Sequence, residues 1–137
     1  MASVLMIVFD EHDNVLCNCS MSEKWCFVHG DIKDIEQPLD AAYRILEEKT
    51  GITSDDIDLH IIRFESVSTY ESAHSMYVMC GRLKHTVNLQ SNDDELFWYK
   101  LCEGTLVTRV LKTDDYGECL TYYKLALKYL RSIDDDK

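Results

Sequence analysis

The sequence predicts one mixed α/β domain, a mixed β-sheet with helices packed on it, and three observations carry that prediction. Residues 3–9 (SVLMIVF) form a short, nearly continuous apolar run rich in branched side chains, the pattern of a buried strand. A helix-spaced stripe then follows a proline and stops at a glycine, between Pro38 and Gly51. A second amphipathic stretch closes the chain, with strand-like runs in between. Strands, helix, strands, helix is the order of a layered α/β fold.

Each element follows from its residues. After the first strand, Asp10 to Asn14 is a polar turn, and Val15 to Ser20 returns as the second arm of a hairpin. Trp25 to Val28 suits a short further strand. Pro38 fits a first helical turn, where its missing N–H costs nothing, and Gly51 fits the left-handed stop. Leu39, Ala42, Tyr43 and Leu46 recur at i, i+3, i+4 and i+7, so they predict one core-facing stripe. Residues 57–67 and 74–84 read as long strands, and Leu96 to Leu101 as a short one. From about Gly117 to Ser132 a helix is expected, with Leu120, Tyr123, Leu127 and Leu130 on one face.

The bulk numbers bound the function. At 137 residues the chain suits one domain, 1–137, and 46% hydrophobic with 28% charged residues is ordinary globular composition, which argues against disorder. No apolar run approaches the ~18–20 residues of a membrane span. The opening MASVLMIVFD lacks a basic leader and runs into an acidic residue, so it reads as a strand and not as a signal peptide. Fourteen basic against 25 acidic side chains leave a net charge of −11. A long nucleic acid or an anionic membrane is therefore an unsuitable partner, whereas a small phosphorylated or nucleotide-like ligand needs only a local positive site or a metal. A homodimer or a protein partner stays open. The acidic end Asp134-Asp135-Asp136 reads as solvated. Six cysteines without a leader suggest reduced thiols and a cytoplasmic location. Cys17 and Cys19 share one side of a strand but lack a second ligand pair for zinc, so buried free thiols are expected.

One segment carries chemistry. From Gly30 the chain matches the pattern G-x5-E-x7-R-E-U-x-E-E-x-G-U (U aliphatic) at Gly30, Glu36, Arg44, Leu46, Glu48, Gly51 and Ile52. Trp25 upstream, the Ala41-Ala42 pair and the run Asp94-Glu95-Leu96-Phe97-Trp98 add to the match. The stretch resembles the box of the Nudix (MutT-like) hydrolase superfamily, and the strand order above agrees with its α/β/α sandwich over nearly the whole chain. The resemblance implies a box helix whose carboxylates hold Mg²⁺ or Mn²⁺ against a diphosphate, the metal activating the attacking water.

The departures fall on that metal face. Ile45 and Lys49 stand where the family has glutamates, and Val28-His29-Gly30 stands where it usually has Pro-Gly-Gly. At ~100° per residue, positions 45, 48 and 49 cluster on one side of the helix, with Ala41 behind. An ammonium ~4 Å from a divalent ion costs about 8 kcal/mol at an effective dielectric of ~20, before screening and side-chain movement. Lys49 is thus a poor neighbour for a metal, yet it could neutralise a phosphate directly. The bland alternative is that Ile45 widens the core stripe while Lys49 is solvated or paired with Glu48.

His29, Gly30, Arg44 and Lys49 are accordingly the ligand-binding candidates, and Glu48 with Glu36 the metal candidates. Glu48 would be the catalytic carboxylate if the chain hydrolyses. By resemblance Arg44 supports the box loop, and it could also pair with Glu48 four residues on. Glu36 is placed to favour the helix N-terminus. His29 could serve as acid, base or ligand, though a backbone hydrogen bond is the commoner use. His12 and His85 look like turn or strand-end residues, and His60 and His74 lie in strands that would border a pocket. Asp93, Asp94 and Glu95 are a reserve source of a loop carboxylate, and Tyr70, Tyr77, Phe97, Trp98 and Tyr99 could stack on a base but suit the core. Three functions follow: a nucleotide-like or diphosphate-linked ligand binder with little or no hydrolysis, a divergent metal-dependent pyrophosphohydrolase, and a protein-interaction scaffold.

Overall fold

Strand β1 (Ala2–Phe9) lies in the middle of the sheet, and its residues from Val4 to Phe9 are buried on both faces. The computed structural model describes residues 2–19, 25–68, 73–89, 95–100 and 119–135. A hairpin turn leads to β2 (Asn14–Cys19). Asp10 organises this turn by accepting from the backbone N–H of His12 and Asn14, while Asp13 takes φ 63°, a conformation Asp tolerates. Then come β3 (Trp25–Cys26), β4 (Val28–Asp31) and helix α1 (Pro38–Thr50). The long strands β5 (His60–Ser68) and β6 (Ala73–Arg82), the short β7 (Glu95–Lys100) and helix α2 (Cys119–Asp135) complete the described elements.

Among the described residues the strands make one mixed sheet in the order β3-β2-β1-β6-β5. β1 runs parallel to β6 from Ala2↔Ser75 to Phe9↔Arg82, and the other pairs are antiparallel. On its other side β1 forks, pairing with β4 over Ser3 to Met6 and with β2 at Phe9. β7 joins β2.

Alternation along β1 builds two cores. Val4, Met6 and Val8 face Ala42, Ile45 and Leu46 of α1, whereas Leu5, Ile7 and Phe9 face Tyr122, Tyr123, Ala126 and Leu130 of α2. The sheet is thereby covered on both sides, which is why β1 reads as a continuous apolar run. No described helix is long and apolar enough to cross a membrane.

The differences from the sequence expectation are local. The short strand expected over Trp25 to Val28 is two strands broken at Phe27, because Val28 to Asp31 leaves β2 to pair with β1. The α1 stripe is rotated: Ala41, Ala42, Ile45 and Leu46 are buried, while Leu39 remains 37% exposed at the start of the helix. Tyr43 is half-buried, and its hydroxyl accepts from the Leu59 N–H at 2.9 Å. α2 continues to Asp135 instead of stopping at Ser132. Cys17 and Cys80 are buried and in no disulfide among the described residues, and burial pushes the Cys80 thiol up to about 12.

Candidate functional site

The box joins three pieces: β4, the loop over residues 32–37 and α1. Gly51 ends α1 at φ 82°, donating its N–H to the Glu47 carbonyl, and buried Thr50 bonds the Leu46 carbonyl through Oγ1 (2.6 Å). This fixed helix lies against β4, the strand that carries His29 and Gly30.

Ile45 fills the place over Gly30. A Cβ on Gly30 would stand 2.8 Å from Ile45 Cδ1 and 3.1 Å from Cγ1 and Cγ2, so the glycine is there to let the isoleucine approach. Ile45 is 3% exposed. One turn on, Lys49 lies half-buried along the same side and donates from Nζ to the His29 carbonyl oxygen at 2.6 Å. The two positions that depart from the box pattern therefore both reach β4, one by packing and the other by a charge-assisted hydrogen bond. Lys49 is thus not the solvated partner of Glu48 expected as the bland alternative.

Arg44 organises the other side. Its Nε donates to Glu36 Oε2 (2.8 Å), and Nη2 donates to Glu36 Oε1 (3.0 Å) and to the Asp31 carbonyl (3.0 Å). Nη1 reaches Glu48 Oε2 at a longer 3.3 Å. Glu36 also accepts the Lys33 N–H (3.0 Å), closing the loop on itself. The Arg44 hydrogen bond, followed by the Lys33 N–H, holds the Glu36 carboxyl at about 2. Glu36 does not cap the helix as expected: the N-cap is Gln37 with no side-chain cap bond, and the guanidinium takes both Glu36 oxygens instead. Glu48 projects outward, with a side chain 60% exposed.

The remaining candidates scatter. His29 Nδ1 lies 3.0 Å from the Phe27 carbonyl oxygen, which fits the backbone hydrogen bond expected of such a histidine. His74 Nε2 is 3.2 Å from Ser3 Oγ, His60 stacks near Tyr129 with ring centroids 5.4 Å apart, and His85 Nε2 is 2.6 Å from Asp56 Oδ1. His12 sits in the hairpin turn. Asp93, Asp94 and Tyr70 lie outside the described residues. Glu95, Phe97, Trp98 and Tyr99 belong to β7, whose side chains are also outside the description. Among the described residues no three His, Cys, Asp or Glu side chains gather in a way that could hold a metal.

Sequence reasoning missed the surface beside the box. Ala2, Asp31, Ile32, Lys33, Asp34, Ile35 and Ser75 line an open depression of about 640 Å³. Ile35 is fully exposed at its rim and takes φ 63°, a strained conformation for a β-branched side chain. Lys33 could have been suspected as the one cation in the box loop, but nothing in the sequence marks Ala2 and Ser75, which the parallel β1–β6 register brings together.

Residues 1–115 match the NUDIX domain family model. The chain belongs to the Nudix superfamily. No curated protein sequence matches it well enough to count. Solved Nudix structures share its fold at low identity. An Ap4A hydrolase from C. elegans in a binary complex superposes with a TM-score of 0.74 at 14% identity, covering 96% of this chain and 98% of that one. A dihydroneopterin triphosphate pyrophosphohydrolase from E. coli gives 0.72 at 14% identity, covering 93% and 95%. The NUDIX domain of Shewanella oneidensis NrtR, complexed with ADP ribose, gives 0.70 at 15% identity, covering 95% and 88%. These likenesses run almost end to end, so the mixed sheet with the two helices described on it is a Nudix fold.

Proposed function

We propose that this Nudix domain binds a nucleotide-like or diphosphate-linked small molecule with little or no hydrolysis. The carrying observation is the closed contact between α1 and β4, where Ile45 packs on Gly30 and Lys49 bonds the His29 carbonyl. Mg²⁺ or Mn²⁺ does not fit the donors at this place. An ion there would meet a methyl-rich side chain and an ammonium, and the second carboxylate, Glu36, is held on both oxygens by Arg44. Ligand binding has better support. The depression beside the box is of ligand size, and Lys33 on its wall can meet phosphate. His29, Gly30, Arg44 and Lys49 do not line it; Arg44 shapes its edge by donating to the Asp31 carbonyl, and their part in ligand binding is an extension of the same proposal. The NrtR domain complexed with ADP ribose supplies a precedent for ligand class on this fold.

One observation favours a second reading. Glu48 is mostly exposed and, among the described residues, held only by the 3.3 Å contact to Arg44, which leaves it available to an incoming ion in a divergent metal-dependent pyrophosphohydrolase. Calorimetry with ADP-ribose, Ap4A and simpler nucleoside diphosphates, with chelator or with Mn²⁺, and chromatography of the products, separates the two. Binding that ignores Mn²⁺, without product, is the expected result. Mn²⁺-dependent product release that collapses in Glu48→Gln establishes the hydrolase instead, and absence of both binding and product leaves the scaffold reading. The double variant Ile45→Glu, Lys49→Glu should then acquire a Mn²⁺-induced rise in melting temperature that the parent lacks.

A further inference from the structure

The outer side of β5 carries a self-complementary pattern. β5 ends the strand order, and among the described residues no strand pairs with its far edge. A nine-residue edge without a strand partner among the described residues offers N–H and C=O groups to a further strand. At the centre of this strand stands Phe64, 51% exposed, with its ring resting on Tyr77 at a centroid distance of 4.8 Å. Ile61, 44% exposed, shares its face of the sheet, the one that α1 covers elsewhere. Arg63 and Glu65 flank Phe64 on the opposite face, paired with each other and both partly open to solvent.

We propose that β5 is a homodimer edge, where a second copy of this chain adds its own β5 antiparallel on a two-fold axis through Phe64. An axis at Glu65 would set two glutamates face to face, and an axis at Arg63 two arginines. Only the axis at Phe64 sets each Arg63 opposite Glu65 of the second copy, twice by symmetry, with the two Phe64 side chains meeting on the other face of the sheet. The bulge between Ile61 and Arg63 occurs in both copies. It absorbs one residue on each side, so that Ile61 faces Ser66 of the second copy on the Phe64 side of the sheet. Two chains of charge −11 repel at long range, and this register places a cation of each copy directly against an anion of the other.

Sedimentation equilibrium of the full chain over a concentration series tests the proposal. The wild-type chain should dimerise reversibly. Arg63→Glu or Glu65→Arg, each turning two attractive pairs repulsive, should weaken the dimer by about tenfold. Mixing the two variants should restore it as a heterodimer, because each then supplies the charge the other lacks. A misfolded chain could not regain affinity in this way. A wild-type chain that stays monomeric throughout, a dimer that ignores both reversals, or a mixture no tighter than its components overturns the proposal.

Discussion

A methyl group added at Gly30 would enter space already filled by Ile45. The 2.8 Å approach to Cδ1 alone could be relieved by turning the end of the side chain. The 3.1 Å approaches to both Cγ1 and Cγ2 could not, because Ile45 is 3% exposed and boxed in by the α1 core. Backbone strain does not enter, since Gly30 lies outside the left-handed region. Gly30→Ala should therefore cost what overpacking costs, ~1–3 kcal/mol. Ile45→Ala alone removes a buried aliphatic side chain and should cost ~2–5 kcal/mol. Combined, the clash disappears and the new methyl fills part of the cavity, so the double variant should be more stable than the sum by about 1–2 kcal/mol. Urea unfolding followed by circular dichroism measures all three. For a chain of this length each kcal/mol should also move the melting temperature by roughly 3–5 °C. If Gly30→Ala costs less than ~0.5 kcal/mol, or the two changes simply add, Ile45 does not occupy the place over Gly30, and the argument against a metal there fails with it.

Two further outcomes follow from the same loop. Glu36 is depressed to about 2 from an ordinary 4.5, so its contribution is fully present above pH 4.5 and is lost as pH falls toward 2. Melting temperature should decline through that window, and Arg44→Met should lower it above pH 4.5 and flatten the decline, because a carboxyl that titrates near its unfolded value contributes no proton-linked stability; parallel curves for the two proteins would refute the assignment. Ile35→Gly should raise stability, because relieving a left-handed β-branched residue returns ~1–2 kcal/mol and glycine takes back ~0.5–1 kcal/mol through its unfolded-state freedom. The side chain is fully exposed, so no burial is lost, and an unchanged or lower unfolding midpoint would contradict the strain at φ 63°.

Much of the fold was legible because periodicity is a local property that burial enforces. The β1 run, the Pro38 start and the Gly51 stop of α1, and the α2 face with Tyr123 and Leu130 each read directly from spacing. The box residues likewise marked the superfamily, since Gly30, Glu36, Arg44 and Gly51 shape a loop and a helix end whatever chemistry they serve. Less legible were the long-range choices. The strand boundary at Phe27 exists because β4 finds β1, and the turn of the α1 stripe toward Ala41 and Ile45 exists because β4 lies beneath it.

On its own, then, the sequence set Ile45 and Lys49 at the two positions where the pattern it resembles has glutamates. Spacing placed both replacements on one helix face, as helical geometry requires. What those replacements do was decided by tertiary structure. Ile45 and Lys49 are 15 and 19 residues from Gly30 in the chain, and only the packing of α1 on β4 brings the isoleucine onto the glycine and the ammonium onto the His29 carbonyl. Likewise, residue type could not say whether Glu36 would cap the helix or bind Arg44. The guanidinium decided it, by offering two charge-assisted hydrogen bonds where the helix end would offer a weaker dipole.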